Sequence, residues 1–460
     1  MTLIKSISGI RGTIGGAPQY NLTPVDIVSF ASAYGTWLKK KYPRPLVVIG
    51  RDGRLSGPMV SQLVSGTLCA LGIDLLELGL STTPTVEMAV ILQKAQGGII
   101  LTASHNPKEW NALKLLNDSG EFLAADAVQQ ILDIVEKGHY DYVSVDKLGF
   151  SRHYKKATED HIKAILQLPL INKKAISRKK WRIVVDGINS SGATIVPLLL
   201  YALGIDDIKV INKRPLGEFS HNPEPLTENL KALSASVIKE KAHLGIAVDP
   251  DVDRLVFINE DGTPFGEEYT LVAISDYILQ NHPGNCVSNL SSSRALADIA
   301  KKHKCRYYAA AVGEVNVVKK MKAVKAIIGG EGNGGIILPQ LHYGRDAMVG
   351  IALFLTYLAT LKIKPSQLRH SYPQYEMIKD KIALPDHTDI EPLLNQLRAA
   401  YTGAKINIED GVKIDMKEGW MHLRRSNTEP IIRIYAEARD LSLAKKLADD
   451  VKEKIFALWT

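Results

Sequence analysis

The sequence predicts an α/β protein: three similar α/β domains with mixed sheets, then a smaller α+β domain, around a central cleft. Three observations predict it. One plan recurs three times: an apolar strand, a polar loop, a helix, a second strand, and a last buried strand ending in an unusual loop. Ala70-Leu71-Gly72-Ile73-Asp74 returns as Ala202-Leu203-Gly204-Ile205-Asp206 at the same point of that plan. From about residue 371 the alternation stops, and strands are followed by one amphipathic helix. Strands alternating with helices imply mixed or parallel sheets covered on both faces.

In the first copy, a strand at 46–49 leads through Gly50-Arg51-Asp52-Gly53 to a helix at 57–71. A strand at 75–78, a helix and a strand at 98–101 follow, ending at Ser104. The second copy has strands at 182–185, 208–211 and 244–248, with a helix ending near 203, and stops at Asp249. Gly72 and Gly204 both fall just past a helix, where a left-handed residue closes the last turn. The third copy has strands at 286–290, 306–310 and 326–329, with a helix to 303, and stops at Glu331. The last stretch has strands at 412–415, 420–424 and 430–437, a hairpin turn at Lys417-Glu418-Gly419 and a helix at 441–458. Breaks near 145–155, 255–265 and 365–375 give domains 1–150, 151–256, 257–370 and 371–460.

At 460 residues the chain is too long for one ordinary core, and 45% hydrophobic with 23% charged residues is an ordinary globular composition. The net charge of +8 is spread out, apart from short runs such as Lys39-Lys40-Lys41 and Arg178-Lys179-Lys180. Such runs read as solvated faces, so no nucleic-acid partner is expected; a mildly basic cleft for anionic substrates fits. Cys69, Cys286 and Cys305 are isolated and form no zinc pattern, which points to a reduced, cytoplasmic protein without zinc. No run is long enough to span a membrane, and no membrane partner is expected.

Four loops carry candidate chemistry. Gly98-Ile-Ile-Leu101 runs into Thr102-Ala-Ser104-His105-Asn106-Pro107, where proline stops the ladder and lifts Ser104 off the strand end. In open α/β sheets, chemistry sits beyond the carboxyl ends of strands. On these residues alone, a polar turn with a capping serine is the alternative.

Asp249-Pro250-Asp251-Val252-Asp253-Arg254 spaces carboxylates at i, i+2 and i+4, which point one way if the loop is extended. Three like charges need a cation, and oxygen ligands with open positions suit Mg²⁺ better than zinc. An acidic surface turn is the alternative, opposed by the apolar run before it.

Gly330-Glu331-Gly332-Asn333-Gly334-Gly335 contains G-x-G-x-x-G, but strand-like Ile336-Ile337-Leu338-Pro339 follows instead of a helix, against a dinucleotide site. The loop can offer Glu331 and Asn333 to sugar hydroxyls; a flexible turn is the alternative. Arg424-Arg425-Ser426-Asn427-Thr428-Glu429-Pro430 reads as an anion cradle: arginine grips phosphate, and Ser426, Asn427 and Thr428 add neutral donors. A plain β-turn is the alternative.

These four loops, in this order, resemble the α-D-phosphohexomutases, the family of phosphoglucomutase, phosphomannomutase and phosphoglucosamine mutase. Gly9-Ile10-Arg11-Gly12 and Gly50-Arg51-Asp52 resemble two further family segments, so the likeness spans the chain. It implies a phosphoryl group on Ser104 and Mg²⁺ held by that group with Asp249, Asp251 and Asp253. It also implies a hexose 1,6-bisphosphate as intermediate and activator. Arg11, His105, Lys114 and Arg254 match positions near the transferring phosphate. Lys114 is a candidate acid/base if crowding with Arg11 and the metal lowers its pKa. Arg424, Ser426, Asn427, Thr428 and Arg433 would hold the other phosphate, and Glu331 the hydroxyls common to both sugar orientations. The implied partner is a small phosphosugar, and the implied assembly a monomer or homodimer.

Two positions depart from the family. Gly335 stands where many members have a histidine, and Asn427 where common bacterial phosphoglucosamine mutases have glycine. The Gly-Asn-Gly-Gly loop is similar to archaeal-type enzymes, which favours glucosamine phosphate; a phosphomannomutase/phosphoglucomutase is the alternative. A non-catalytic sugar-phosphate-binding protein is opposed by the retained serine and aspartates. A hydrolase using Ser104 and His105 lacks the G-x-S-x-G elbow.

Overall fold

The computed structural model describes every residue except Ser8, Leu216, 385–389, Thr402, 427–430 and Thr460. Its strands form four sheets. The first contains β1 (Ile4–Ser6), β2 (Gly9–Thr13), β3 (Leu46–Arg51), β4 (Asp74–Leu80), β5 (Gly97–Leu101), β6 (Trp110–Leu116) and β7 (Ser151–His153), in the order β1-β2-β6-β5-β3-β4-β7. The second contains β8 (Arg182–Asp186), β9 (Asp207–Ile211), β10 (Leu244–Val248) and β11 (Leu255–Ile258), in the order β11-β10-β8-β9. The third contains β12 (Asn285–Asn289), β13 (Tyr307–Ala310), β14 (Ala326–Glu331) and β15 (Gly335–Ile337), in the order β13-β12-β14-β15.

The three sheets share one wiring. The first strand of the plan is central, the second pairs parallel on one side and the third parallel on the other. An antiparallel return strand then pairs with the third. The third strand therefore always lies inside the sheet. β5 and β10 are buried at every position, which is why they read as unbroken apolar runs. Each third strand delivers its loop at its carboxyl end. The return strands β6 and β11 did not stand out in the sequence, whereas β15 falls on the strand-like run at 336–339; β11 fills the first part of the break expected at 255–265.

One continuous core joins the second and third sheets, with helix Ala347–Leu361 buried along nearly its whole length inside it. There Phe257 of β11 stacks on Phe354 with ring centres 3.9 Å apart. The second and third loops are thus carried on one packed body. The fourth sheet is antiparallel: β16 (Glu376–Ala383), β17 (Lys405–Asn407), β18 (Val412–Asp415), β19 (Gly419–Arg425) and β20 (Ile431–Ala438), in the order β16-β20-β19-β18-β17. It has its own core, which includes Val451 and Ile455 of helix Leu441–Trp459. Among the described residues no helix is long and apolar enough to cross a membrane.

Candidate active site

Ser104 adopts φ +48°, a left-handed conformation that a residue with a Cβ holds only when its surroundings dictate it. Arg54 supplies the dictation. Its wholly buried guanidinium donates to the carbonyls of Ser104, Asn106 (2.7 Å), Pro107 (2.6 Å) and Trp110 (2.9 Å). Its Nε donates to Asp52 Oδ2 at 3.0 Å. The same oxygen accepts the Thr102 hydroxyl at 2.7 Å, and Thr102 Oγ1 accepts the Ser104 N–H at 2.9 Å. Arg54 thus puts its terminal nitrogens on the carbonyls of one loop and its Nε on Asp52. The motif reading stopped at Asp52 and missed it.

Ser104, 5% exposed, donates its hydroxyl to Asp249 Oδ2 at 2.7 Å. His105 Nδ1 lies 3.4 Å from the same hydroxyl oxygen. The aspartates converge as the spacing suggested, but not in an extended loop. The chain turns: Val252 takes φ +62°, its N–H meets the Asp249 carbonyl, and Asp249 Oδ1 accepts the N–H groups of Asp253 and Arg254 at 3.1 Å each. One oxygen from each of Asp249, Asp251 and Asp253 lies within 4.8 Å of the others. Asp251 Oδ1 and Asp253 Oδ1 are buried and receive no hydrogen bond, an arrangement that is costly without a cation. The donor set therefore fits a hard dication such as Mg²⁺.

The electrostatics agree. Burial first, then Asp253 and Asp251, pushes the Asp249 carboxyl well above the ordinary range. Asp251 goes the other way: burial opposes its charge, but Lys114 Nζ at 2.8 Å outweighs burial and holds it low. Lys114, expected to be lowered by crowding with Arg11 and a metal, stands here against two carboxylates. Burial and Arg345 do disfavour its charge, yet Asp251 and Asp253, the latter at 3.5 Å, raise its pKa above that of an ordinary lysine. His105 is held well below the usual imidazole value by burial, then by Arg254 and Arg11, and stays neutral. Arg11 is itself lowered by burial and by Arg254, and reaches Asn106 Oδ1 at 3.3 Å. Arg254 pairs with Glu224 at 2.9 Å. Cations crowded in this way against a neutral histidine suit an arriving dianion.

Glu331, at the end of β14, accepts from Asn289 at 2.8 Å and from the Gly313 N–H at 3.0 Å on one oxygen, and from Arg345 at 2.8 Å on the other. Arg345 also reaches Asp253 Oδ2 at 2.6 Å and Glu314 at 2.9 Å, so one guanidinium ties the aspartate loop to the glycine-rich loop. That loop is a hairpin between β14 and β15, with Glu331 opposite Gly335. A Cβ at Gly335 would collide with Cδ of Arg345: the arginine fills the space a side chain there would need. Asn333, half-buried, uses its carbonyl oxygen on the Gly335 N–H at 3.2 Å.

In the fourth sheet, Arg424 and Arg433 are direct partners across β19 and β20. Ser426, buried at the end of the hairpin, bonds through its N–H to the Ile431 carbonyl. Asn427 and Thr428 lie outside the described residues. Asp410 links this group to the sugar loop, with Oδ2 3.9 Å from Arg424 Nε and accepting the Val312 N–H at 2.9 Å, one residue from the Glu331 contact. The structure thus gathers Arg11, Ser104, His105, Lys114, the three aspartates and Arg254 at one place. It joins Glu331 to them through Arg345 and sets Arg424, Ser426 and Arg433 apart.

Four family models cover the chain: phosphoglucomutase/phosphomannomutase α/β/α domain I over residues 3–141, domain II over 159–262, domain III over 266–375 and the C-terminal domain over 381–454. The chain is 34% identical to a phosphoglucomutase/phosphomannomutase of Thermococcus kodakarensis, covering 95% of this chain and 96% of that protein. It is 30% identical to a phosphoglucosamine/phosphogalactosamine mutase of Sulfurisphaera tokodaii, covering 97% of each. In three dimensions it is similar to a phosphoglucomutase/phosphomannomutase family protein of Burkholderia thailandensis, with a TM-score of 0.85 at 24% identity over 98% of this chain and 96% of that one. The chain belongs to the phosphoglucomutase/phosphomannomutase family of α-D-phosphohexomutases, enzymes of the isomerase class.

Proposed function

We propose that the enzyme interconverts hexose 6-phosphates and hexose 1-phosphates through a phosphoryl group carried on Ser104. The observation that carries this is the Ser104 hydroxyl, buried, conformationally fixed and 2.7 Å from Asp249 amid Arg11, Arg254 and Lys114. In the first half-reaction the Oγ–P bond of phosphoserine breaks as a sugar oxygen bonds to phosphorus, giving a hexose 1,6-bisphosphate and a free Ser104 hydroxyl; in the second, Oγ bonds to the other phosphorus as that sugar O–P bond breaks. The bisphosphate turns over and returns its other phosphoryl group to Ser104.

Asp249, Asp251 and Asp253 would hold Mg²⁺, which supplies Lewis-acid stabilisation of charge on the transferring group. His105 is neutral and beside the serine oxygen, so it is better placed than Lys114 to move the hydroxyl proton. Lys114 stays charged and, with Arg11 and Arg254, offsets the phosphoryl charge. Arg424 and Arg433, with Ser426, Asn427 and Thr428, grip the phosphate that is not reacting. Glu331, in a position fixed by Arg345, meets hydroxyls shared by both sugar orientations. Glucosamine phosphate is favoured over mannose and glucose phosphates by the names of several relatives.

Intact-mass analysis of the purified enzyme tests the carrier. A phosphate adduct is expected on the native protein after incubation with a hexose 1,6-bisphosphate, and none on Ser104→Ala. Full mutase turnover by Ser104→Ala would overturn the assignment.

A further inference from the structure

Outside the serine site, three buried side chains converge. His161 stands on helix Ala157–Leu166, while His342 and Asp346 lie between β15 and helix Ala347–Leu361. Nε2 of His161 and Nε2 of His342 lie 3.0 and 3.2 Å from a single oxygen, Asp346 Oδ2. All three residues are at most 4% exposed. The other oxygen of Asp346 is committed, since it accepts the N–H groups of Met348 and Val349 and caps the helix. Only Oδ2 faces the rings.

The far side of each ring is backed. His161 Nδ1 is 3.0 Å from the Thr85 hydroxyl, and His342 Nδ1 is 3.3 Å from Glu87 Oε2. Glu87 is wholly buried on helix Thr83–Leu92, and neither of its oxygens receives a hydrogen bond. Histidines that bind a metal through one nitrogen characteristically donate the other N–H to a carboxylate or hydroxyl. A proton placed on His342 Nδ1 in this way would make the 3.3 Å contact with Glu87 Oε2 a hydrogen bond. The Gly344 N–H, 3.1 Å from the same nitrogen, is the contact that gives way.

Charge points the same way. A dication with two neutral rings and two carboxylates sums to zero, as buried charges must nearly do.

We propose that His161, His342 and Asp346 form a second metal site, separate from the aspartate triad and selective for a zinc-like dication. Two imidazole nitrogens and one carboxylate oxygen suit Zn²⁺ rather than Mg²⁺. Zinc bonds of about 2.0–2.1 Å put tetrahedral ligands roughly 3.3 Å apart, close to the two spacings observed. The ion ties helix Ala157–Leu166 to helix Ala347–Leu361, while Thr85 and Glu87 bring in helix Thr83–Leu92. It is a staple between the units of the first three sheets. Motif spacing could not reveal it, because His161 and Asp346 are 185 residues apart.

The test uses untagged full-length enzyme, stripped with chelator, reloaded with Zn²⁺ or Co²⁺ and dialysed, with metal measured by elemental mass spectrometry. About one tightly held equivalent per chain is expected, kept by Asp251→Asn and lost by His342→Gln. Asp346→Asn, which can still cap the helix, should lose it too. The Co²⁺ form of the unaltered enzyme should show the intense visible bands of a nitrogen-ligated tetrahedral ion, which an all-oxygen site does not give. Chelation should lower the melting temperature of the native enzyme but not that of Asp346→Asn. Failure of the native enzyme to retain Zn²⁺, or equal retention by Asp346→Asn, would overturn the site and leave two histidines hydrogen-bonded to a capping aspartate.

Discussion

At the serine end, Ser104 and the three aspartates are at most 5% exposed and are braced by Arg54 and Arg345. At the cradle end, Arg424 and Arg433 are only half-buried and face each other on one pair of strands. The proposed roles of the two ends account for the difference. Where bonds break, charge moves, and donors must already be in place to be worth much. Where a phosphate is merely held, and either end of the sugar must fit, two facing cations suffice.

Breaking the brace should have the largest effect. Arg54→Met leaves Asp52 as a buried charge without its partner and strips the loop carbonyls of donors. Removing one partner of such a pair costs about 3–5 kcal/mol, read as a lowered melting temperature in calorimetry. The strained Ser104 backbone should relax as well, so kcat should fall in whatever protein remains folded. A variant with native stability and turnover would show that the serine loop holds its own shape.

The cradle should fail differently. Arg424→Ala removes a charge-assisted contact worth about 1.5–3 kcal/mol, or roughly tenfold to a hundredfold in kcat/KM. Stability should hardly change. Some of the loss should appear in kcat, because binding energy at the remote phosphate positions the reacting end. Native kinetics on every phosphosugar would remove the cradle from the site.

Gly335→Ala sharpens the contrast from the brace side. The added Cβ collides with Cδ of Arg345. That arginine cannot swing away freely, since Asp253, Glu314 and Glu331 each hold it. Overpacking of this kind costs about 1–3 kcal/mol. Both the apparent Mg²⁺ affinity and KM should shift, because one guanidinium serves both loops. A change in stability alone would mean the link is only structural.

What could be read from the sequence was what lies contiguous in it. Ser104, the three aspartates and Glu331 each end a buried strand in a loop of unusual composition, and the threefold plan emerged from apolar runs that the interior sheets require. Arg54 and Arg345 were not legible, because each is a lone arginine whose meaning depends on partners brought by folding. The ion pair of Lys114 was not legible for the same reason. Its partner at 2.8 Å, Asp251, lies 137 residues away. The aspartate loop was read as extended because alternate spacing is visible, and the positive φ of Val252 that makes the turn is not.

The smallest effect concerns the sugar itself. Asn333 is the candidate for sensing the substituent at C2, and an amide in general can donate or accept. Here one lone pair of its carbonyl oxygen is committed to the Gly335 N–H, which leaves the second lone pair and the NH₂ group. A neutral amide that can still donate or accept tolerates a hydroxyl or an ammonium, so the loop itself imposes little C2 preference. The kcat/KM values for the three 1-phosphates should therefore lie within about tenfold of one another, or ~1.4 kcal/mol in transition-state binding. Asn333→Asp replaces the donor with a carboxylate, which should turn preference toward glucosamine 1-phosphate by several-fold while lowering rates on the neutral sugars. If native glucosamine 1-phosphate activity lies far more than tenfold below the others, the glucosamine assignment falls. If Asn333→Asp leaves all three ratios unchanged, C2 is read by some other residue.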